Sequence, residues 1–437
     1  DWPLYPLGIG NLVSSLQKER NVSAIHFQKI EHAESLLPSV LFESNPDVVG
    51  FTCTTFNRGS VKAMISQTRQ ILPKAKIVVG GVHASFLPEQ MIRNYGADYV
   101  VIGEGENTIK YLGRMIDGDI GLEEVRGIAF WDKKTERVII NKPRASIRNL
   151  DSIDPPDYTF AEKLIIESKM GCIITSRGCP AKCNYCSTSH YWGQLVRVHS
   201  VDRVLKEIER LISLYGIKKL FFHDDTFNLS EKRVLDICKG MIDKKFNLEW
   251  ACHGRVRPIS QEMLDAMVEA GCRHVCWGIE SGSKSMLQAM NKKIDLSQVK
   301  KAYDLCTKYD GRLSTGAFTM VGFPGENEKT IKETCKFLNT VPLTDSPSTA
   351  ILYVLPGTTV YDQLKDKMGG DDYWVKTDEM FYNVTENSFD LLNKWAGEVS
   401  NSGRRVAFDQ GKHFWNGILL GKVPSPTPPK FFVQKKT

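Results

Sequence analysis

The sequence predicts an α/β protein: two successive series of alternating strands and helices, then a C-terminal segment that leaves the alternation. Three observations carry this expectation. Through the first 125 residues, short apolar runs of strand length alternate with amphipathic runs of helical length. A second alternating series of six units runs from about residue 166 to 363. The chain has 437 residues, 42% of them hydrophobic and 25% charged, which is enough for two or three folded cores.

In the first series, Leu12–Arg20 reads as a helix, Val22–Phe27 as a strand and Ala33–Ser44 as a helix. Val48–Thr52 is a fully apolar strand, followed by a helix over Lys62–Leu72 and a strand over Lys76–Val79. A helix over Pro88–Asn94, a strand over Tyr99–Ile102 and a helix over Thr108–Ile116 complete it. Apolar strands joined through helices imply a parallel sheet covered on both faces, a doubly wound domain over 1–125. GIAFWDKKTERVIINK (127–142) reads as a hairpin, two β-rich runs about a polar turn. SIRNLDSIDPPDY, with two prolines and several turn formers, reads as a linker, so 126–165 is assigned to hairpin and linker.

The second series places strands at Cys172–Thr175, Leu220–His223, Glu249–His253, His274–Gly278, Leu313–Met320 and Thr349–Leu355. Helices are expected at Val201–Tyr215, Glu231–Lys245, Gln261–Ala270, Leu296–Tyr309 and Lys329–Leu338. Six β/α units make an open sheet or a partial barrel, and in either the loops after the strands carry the chemistry. From Leu364 the rhythm is lost; Trp374, Trp395 and Trp415 stand among glycines and asparagines, and PSPTPP (424–429) reads as extended tail. Segment 364–437 is a C-terminal extension, a lid or substrate-recognition element. No repeat of solenoid period is present.

Net charge is +6, with the basic residues scattered, so nucleic acid is not an expected partner. No apolar run has the length of a membrane span. Eleven cysteines, an odd number in a long chain, exclude a small disulfide scaffold and suggest a reducing cytoplasm. Cys238, Cys252, Cys272, Cys276, Cys306 and Cys335 sit in apolar surroundings and read as small core residues. The chain opens at Asp1 rather than a methionine, which suggests processing or trimming.

SRGCPAKCNYCSTSHYWG (176–193) follows the first strand of the second series and places Cys179, Cys183 and Cys186 in C-x3-C-x2-C spacing. A structural zinc wants four closed ligands; His190 and Cys172 are the available fourth donors, and Cys172 lies in an apolar run. Three thiolates suit a cubane iron–sulfur cluster with one iron open to an exogenous ligand. With Tyr185 before the last cysteine, the motif resembles the signature of the radical S-adenosylmethionine (SAM) superfamily. That resemblance implies a partial (β/α)6 barrel over 166–363. It also implies a 4Fe-4S cluster on Cys179, Cys183 and Cys186, with SAM chelating the fourth iron and cleaved by one electron to a 5′-deoxyadenosyl radical.

The later strand ends fit the same resemblance. FFHDDTFN brings Asp224 and Asp225, WACHGRVR brings His253 and Arg255, WGIESGS brings Glu280 and Ser281, GFPGE follows the fifth strand, and VLPGT brings Pro356 and Gly357. The family's strand-end motifs contact SAM, so Tyr185, Asp224, Arg255, Glu280, Ser281, Pro356 and Gly357 are assigned to cofactor binding. A bare acid at a strand end is more often a helix cap than a ligand, an ambiguity that Asp225 before Thr226–Ser230 carries.

In the first series, PLGIG, FTCTTFN, VVGGVHASFLPE and VIGEGENT occupy the strand-to-helix turns. Glycine there allows close backbone approach to a ligand. No complete G-x-G-x-x-G is present, and the acids of GEGE would repel a phosphate. The order resembles the Rossmann-like cobalamin-binding domain of the B12-dependent radical SAM class, methyltransferase type. Thr52, Thr54, Gly80, Gly81, His83, Glu104 and Gly105 are then the expected cobalamin contacts. D-x-H-x-x-G is missing, and no histidine is a clear lower ligand to cobalt, with His26 and His83 as the candidates. The resemblance implies an unligated or water-filled lower face. The alternative is a domain that keeps the fold and binds nothing, or serves a partner.

Together the resemblances imply methylation of an unactivated carbon: one SAM supplies the methyl through cobalamin, and a second supplies the radical. Tyr353, Asp225 and His253 are the candidate catalytic residues, with 186–193 beside them; Tyr191 and Trp192 there read equally as packing aromatics. The substrate is a small molecule, peptide or protein; the build resembles archaeal enzymes that C-methylate methyl-coenzyme M reductase. Flavodoxin or ferredoxin is the implied electron donor. Competing readings are a B12-dependent cyclisation or rearrangement, and a non-catalytic iron–sulfur or zinc module. Methylthiolation is disfavoured because Cys53 is the sole cysteine before Cys172.

Overall fold

The computed structural model describes residues 5–25, 30–309, 311–377, 379, 381–406 and 413–415. His26, Phe27 and the PSPTPP segment lie outside them, as does the rest of the tail.

The first sheet has five strands in the order β1 (Val48–Thr52), β2 (Lys76–Gly80), β3 (Tyr99–Val101), β4 (Ile128–Asp132) and β5 (Arg137–Ile140). β1, β2 and β3 are parallel; β4 and β5 continue the sheet antiparallel. Successive residues of a strand point to opposite faces, so each face needs its own cover. On one side Ile77, Val79 and Val100 pack with Val61, Ile65 and Met91 from the helices Arg58–Ile71 and Pro88–Arg93. On the other, Val78 and Val101 pack with Leu112 of the helix Gly105–Ile116. This is the expected doubly wound pattern. The hairpin expected apart from this domain pairs directly with β3 and is continuous with its sheet.

Two expectations fail here. Val22–Ile25, the described part of the expected strand over Val22–Phe27, forms no strand. The first helix runs Leu7–Leu16 rather than Leu12–Arg20. Gly8 and Gly10 lie inside this helix, and Gly10 faces the linker so closely that a Cβ would lie 2.5 Å from the Asp157 carbonyl. The Asp157 N–H donates to the Gly10 carbonyl, and Ser14 to the Pro155 carbonyl, so the proline-rich linker lies along this helix. Tertiary contact overrides the glycine penalty.

β6 (Met170–Ile173) opens the second unit. A short ribbon, β7 (Ser176–Arg177) against β8 (Arg197–Val198), closes the base of the cysteine loop. β9 (Lys219–Phe222), β10 (Glu249–Gly254), β11 (Cys272–Glu280) and β12 (Ser314–Val321) follow, then β13 (Pro342–Leu343) and β14 (Ser348–Ile351). The sheet order is β14-β12-β11-β10-β9-β6, all parallel: six strands in chain order, the expected partial (β/α)6 barrel. β15 (Arg404–Arg405), in the extension, pairs with β13. Helix starts in this unit are set by side-chain caps: Ser200, Ser230, Ser260, Asp295, Asn327 and Thr358 each accept a backbone N–H of the first turn.

Cys238, Cys252, Cys272, Cys276 and Cys306 are buried, as expected of core residues, and Cys335 is partly buried. Cys172 is buried too; its backbone N–H donates to the Tyr5 hydroxyl at 2.5 Å, and burial pushes its thiol up to about 12. Such a thiol is a core group rather than a ready ligand. Trp374 and Trp395 are buried. No described helix is long and apolar enough to cross a membrane.

Candidate active site between two sheet edges

The cysteine loop leaves β6 at Thr175. Asp224, at the end of β9, fastens that exit: one carboxylate oxygen accepts the N–H groups of Thr175 and Ser176 and the Ser176 hydroxyl, and the other accepts the Thr175 hydroxyl. Burial raises the Asp224 carboxyl to about 6 despite these donors. Asp224, assigned from sequence to cofactor binding, thus spends its described bonds on holding the loop.

Gly178, at φ +98°, turns the chain into the loop in a conformation that favours glycine. Cys183 is buried, and Cys179 and Cys186 are half-buried; all three are free thiols. Asn184 anchors the loop from behind. Its N–H donates to the Met290 carbonyl at 3.0 Å, its side chain to Ala289 at 2.8 Å, and its carbonyl accepts from Val360 at 3.0 Å. Sequence reasoning missed Asn184; a polar residue inside the motif was the available signal.

The donor set tests what the loop can hold. Zinc–thiolate bonds of about 2.3 Å put tetrahedral sulfurs about 3.8 Å apart. Among the described residues, the one set of three metal-type donor atoms within 4.8 Å of one another is His274, Asp345 and His413, and the three thiols are not such a set. Three thiolates from one loop, with no fourth protein ligand beside them among the described residues, are the donor set of a polynuclear cluster with one open corner. His190, the other possible zinc ligand, is exposed.

Around the thiols lie several expected residues. Thr226 stands 3.9 Å from the Cys179 sulfur, and Thr188 donates to Asp225 at 3.2 Å. Burial raises the Cys186 thiol and the Asp225 carboxyl. Glu280 has φ +68° where the pairing of β11 with β12 shifts register. Its carboxylate meets the ammonium of Lys292 at 2.6 Å, and Lys292 also donates to the Tyr185 hydroxyl at 3.2 Å. Lys292, a buried cation within reach of the loop, was not singled out from sequence. Arg255 donates to the Lys292 carbonyl. Ser281 is buried and bonded to Thr334 and to the Ser283 N–H, inside the helix packing.

The strand-end loops of the first sheet close over the same region. Arg177 of β7 pairs with Glu104 at 2.7 Å and Glu106 at 2.5 Å, and Arg197 of β8 also grips Glu104 at 2.7 Å. The acids of GEGE therefore face arginines, which is why they occupy a helix start that sequence reading found hostile to phosphate. Glu104, expected at cobalamin, has both carboxylate oxygens engaged this way. Tyr191 donates to the Gly103 carbonyl at 3.2 Å, and Trp192 lies under the Arg177 guanidinium, its ring centroid 5.2 Å away. Pro356 is buried, and Gly357, at φ +78°, sits so near Phe86 that a Cβ would overlap the ring.

Gly81, at φ +98°, leaves no room for a Cβ, which would fall 2.6 Å from the Cys53 carbonyl and 3.0 Å from the Thr52 hydroxyl. Gly80 has open space by comparison, with Val101 at 3.8 Å, and Gly105 abuts Leu12. Asn57 organises the first turn: its side chain accepts from the Thr54 N–H and hydroxyl and donates to the Thr52 carbonyl. His83 is buried with both ring nitrogens engaged, Nδ1 to Thr55 and Nε2 to Gln90, each at 3.0 Å. Burial lowers it to about 4, so it is a neutral structural imidazole. Gly81 and Gly105 are thus glycines because the protein's own Cys53 and Leu12 leave no room for a side chain, and His83 braces the turn from within the domain.

The three candidate catalytic residues stand apart. Asp225 is beside the cysteine loop. His253 is inside the barrel between Phe221 and Phe318, at ring separations of 5.0 and 4.9 Å, and burial lowers it to about 3. Tyr353 stacks on Phe381 of the extension at 4.4 Å and meets Phe56 of the first sheet edge-on at 5.0 Å. No hydrogen bond or ring contact among the described residues links the three to one another.

The extension is tied down by Arg58. This buried guanidinium donates to the carbonyls of Thr55, Trp374, Thr377 and Glu379 and lies 5.0 Å over the Trp374 ring. A first-domain arginine thus holds the segment that carries Phe381, a link that sequence reading did not foresee.

Comparison with known proteins agrees with this geometry. Residues 173–338 match the Radical SAM superfamily and residues 3–112 the B12 binding domain. An uncharacterised methyltransferase of Pyrococcus horikoshii is 32% identical over 361 residues, covering 82% of this chain and 78% of its own. The anaerobic magnesium-protoporphyrin IX monomethyl ester cyclase of Cereibacter sphaeroides is 27% identical over 85% of this chain; the chain spans 62% of that protein. The solved structure of TsrM, a radical SAM methyltransferase from Kitasatospora setae with cobalamin and a [4Fe-4S] cluster bound, superposes with a TM-score of 0.72. That match covers 84% of this chain and 76% of TsrM at 19% identity, a likeness of fold. Two sheet edges that share one set of ion pairs, three cluster-type thiols and these relatives lead to one assignment: the chain belongs to the cobalamin-dependent radical SAM enzymes of methyltransferase type, whose cofactors are a 4Fe-4S cluster, SAM and cobalamin.

Proposed function

We propose that this enzyme transfers a methyl group to an unactivated carbon, with a peptidyl residue as one candidate acceptor. The observation that supports it best is the direct contact between the cysteine loop and the turns of the first sheet, through Arg177, Glu104 and Glu106 and through Tyr191 and Gly103. Two groups that must act on one substrate carbon need a shared, water-poor chamber.

Cys179, Cys183 and Cys186 would hold the cluster. Glu280, Lys292 and Tyr185 offer a carboxylate, an ammonium and a phenol for the polar end of SAM. Thr52, Gly80, Gly81 and the 103–105 turn would take the corrinoid. When bound, the cluster and SAM would supply radical chemistry for hydrogen abstraction, and the corrinoid would supply methyl-transfer chemistry. The chain's own part is placement and exclusion. Phe56, Tyr353 and Phe381 form an aromatic contact between the first sheet's turn and the extension, and Tyr353 and Asp225 are the polar groups available to orient a substrate. The phenol of Tyr353 is raised by burial and stays protonated, a hydrogen-bond donor at neutral pH.

The test uses the anaerobically reconstituted chain with trideuteromethyl-SAM, a low-potential reductant and an extract offering proteins and small molecules. The expected result is 5′-deoxyadenosine together with a deuterated methyl on carbon in the peptide fraction. Label in small molecules alone would shift the acceptor class. Formation of 5′-deoxyadenosine without label transfer would favour the cyclisation reading that the relative named as a cyclase makes plausible.

A further inference from the structure

At the opposite end of the half-barrel from the cysteine loop, near the strand starts, lies a second group of donors. His274 is at the beginning of β11, Ser314 begins β12, and Asp345 follows β13. His413, Phe414 and Trp415 come from the extension. Trp415 lies 5.6 Å from Phe221 and 5.9 Å from His274, so these residues close the barrel floor.

We propose that His274, Asp345 and His413 bind one divalent cation of the zinc type, separate from the cluster site. Their donor atoms all lie within 4.8 Å of one another. One Asp345 oxygen is 3.4 Å from His274 Nδ1 and 2.9 Å from His413 Nε2. An ion holding N and O ligands at about 2.0–2.1 Å in tetrahedral geometry sets them about 3.3 Å apart, close to what the apo side chains already show. Two imidazoles with one carboxylate suit zinc or a neighbouring first-row ion, whereas magnesium and calcium want oxygen alone.

The competing use of these atoms is a hydrogen-bond network. His274 Nδ1 is 2.8 Å from the Ser314 hydroxyl, which itself donates to the Arg273 carbonyl, so this nitrogen carries the proton without metal. The Trp415 N–H is 3.4 Å from His413 Nδ1. Metal binding moves the His274 proton to Nε2 and puts the His413 proton on Nδ1, giving up that long Trp415 contact. The gain is a bond set joining the extension to two neighbouring parts of the barrel floor.

The experiment takes the full chain, reconstituted with cluster and cobalamin, exposes it to zinc, removes loose metal on a chelating resin, and reads metal content and the zinc absorption edge. The expected result is one zinc per chain with a nitrogen/oxygen shell and no sulfur. That zinc persists when Cys179, Cys183 and Cys186 are replaced by alanine, and falls at least tenfold in His413→Gln and in Asp345→Asn with corrinoid content kept. No retained zinc in the wild type, a sulfur shell, or full zinc in His413→Gln overturns the proposal. Should a variant fail to fold, the wild-type count and shell decide it alone.

Discussion

Replacing Arg177 by methionine tests how the two halves of the enzyme are joined. The guanidinium pairs with Glu104 and Glu106, and the side chains of all three are 10% exposed or less. At an effective dielectric of about 20, unit charges about 4 Å apart attract by about 4 kcal/mol before desolvation is counted. Methionine fills similar space but leaves Glu106 without its cation and Glu104 with Arg197 alone. Removing one partner of a buried pair costs about 3–5 kcal/mol, against about 0–1 kcal/mol for an exposed pair. Thermal and denaturant unfolding of the anaerobic chain, followed by circular dichroism, reads the loss. A cycle with Glu106→Gln isolates the pair. The expected coupling is at least about 2 kcal/mol, with Arg177→Met/Glu106→Gln less damaged than the two single losses added. Loss below about 1 kcal/mol in Arg177→Met and no coupling would refute the reasoning and class the contact with surface ion pairs.

Three further outcomes follow from single side chains. Asp224 titrates near 6 in the fold and near 3.9 when unfolded, so the fold holds its proton more tightly. The wild type should gain stability from this group as pH falls from about 7 to about 4, by roughly 3 kcal/mol in all; Asp224→Asn should lack that slope in paired pH-dependent melts. Gly81→Ala forces a Cβ against Cys53 at positive φ, and should cost about 1–3 kcal/mol and reduce cobalamin retained after gel filtration. His83 has both nitrogens bonded within its own domain. Cobalt(II) electron paramagnetic resonance of the loaded enzyme should show no nitrogen splitting from an axial imidazole, and His83→Gln should leave that spectrum unchanged.

The half-barrel was readable because its strands are long apolar runs and its helices begin at side-chain caps such as Ser200 and Ser260. The cysteine loop was readable because three thiols must come from one short segment. What escaped was whatever depends on partners distant in the chain. Leu7–Leu16 is helical because Gly10 packs against Asp157, a contact invisible to local propensity. Asp224 and Glu104 were recognised as strand-end acids but assigned to cofactors; Asp224 instead holds Thr175 and Ser176 across neighbouring strands of one sheet, and the grip of Arg177 and Arg197 on Glu104 depends on how the two sheets meet. Lys292 and Arg58 look like surface residues in one dimension and are buried in three.

The central claim is that the cysteine loop and the turns of the first sheet enclose one chamber. Spin–spin interaction between the reduced cluster and cobalt(II) in the doubly loaded enzyme tests it most directly. The account expects the cobalt resonance to broaden and relax faster when the cluster is reduced, and to revert in a Cys183→Ser variant that lacks the cluster. A cobalt signal indifferent to the cluster's oxidation state would contradict it.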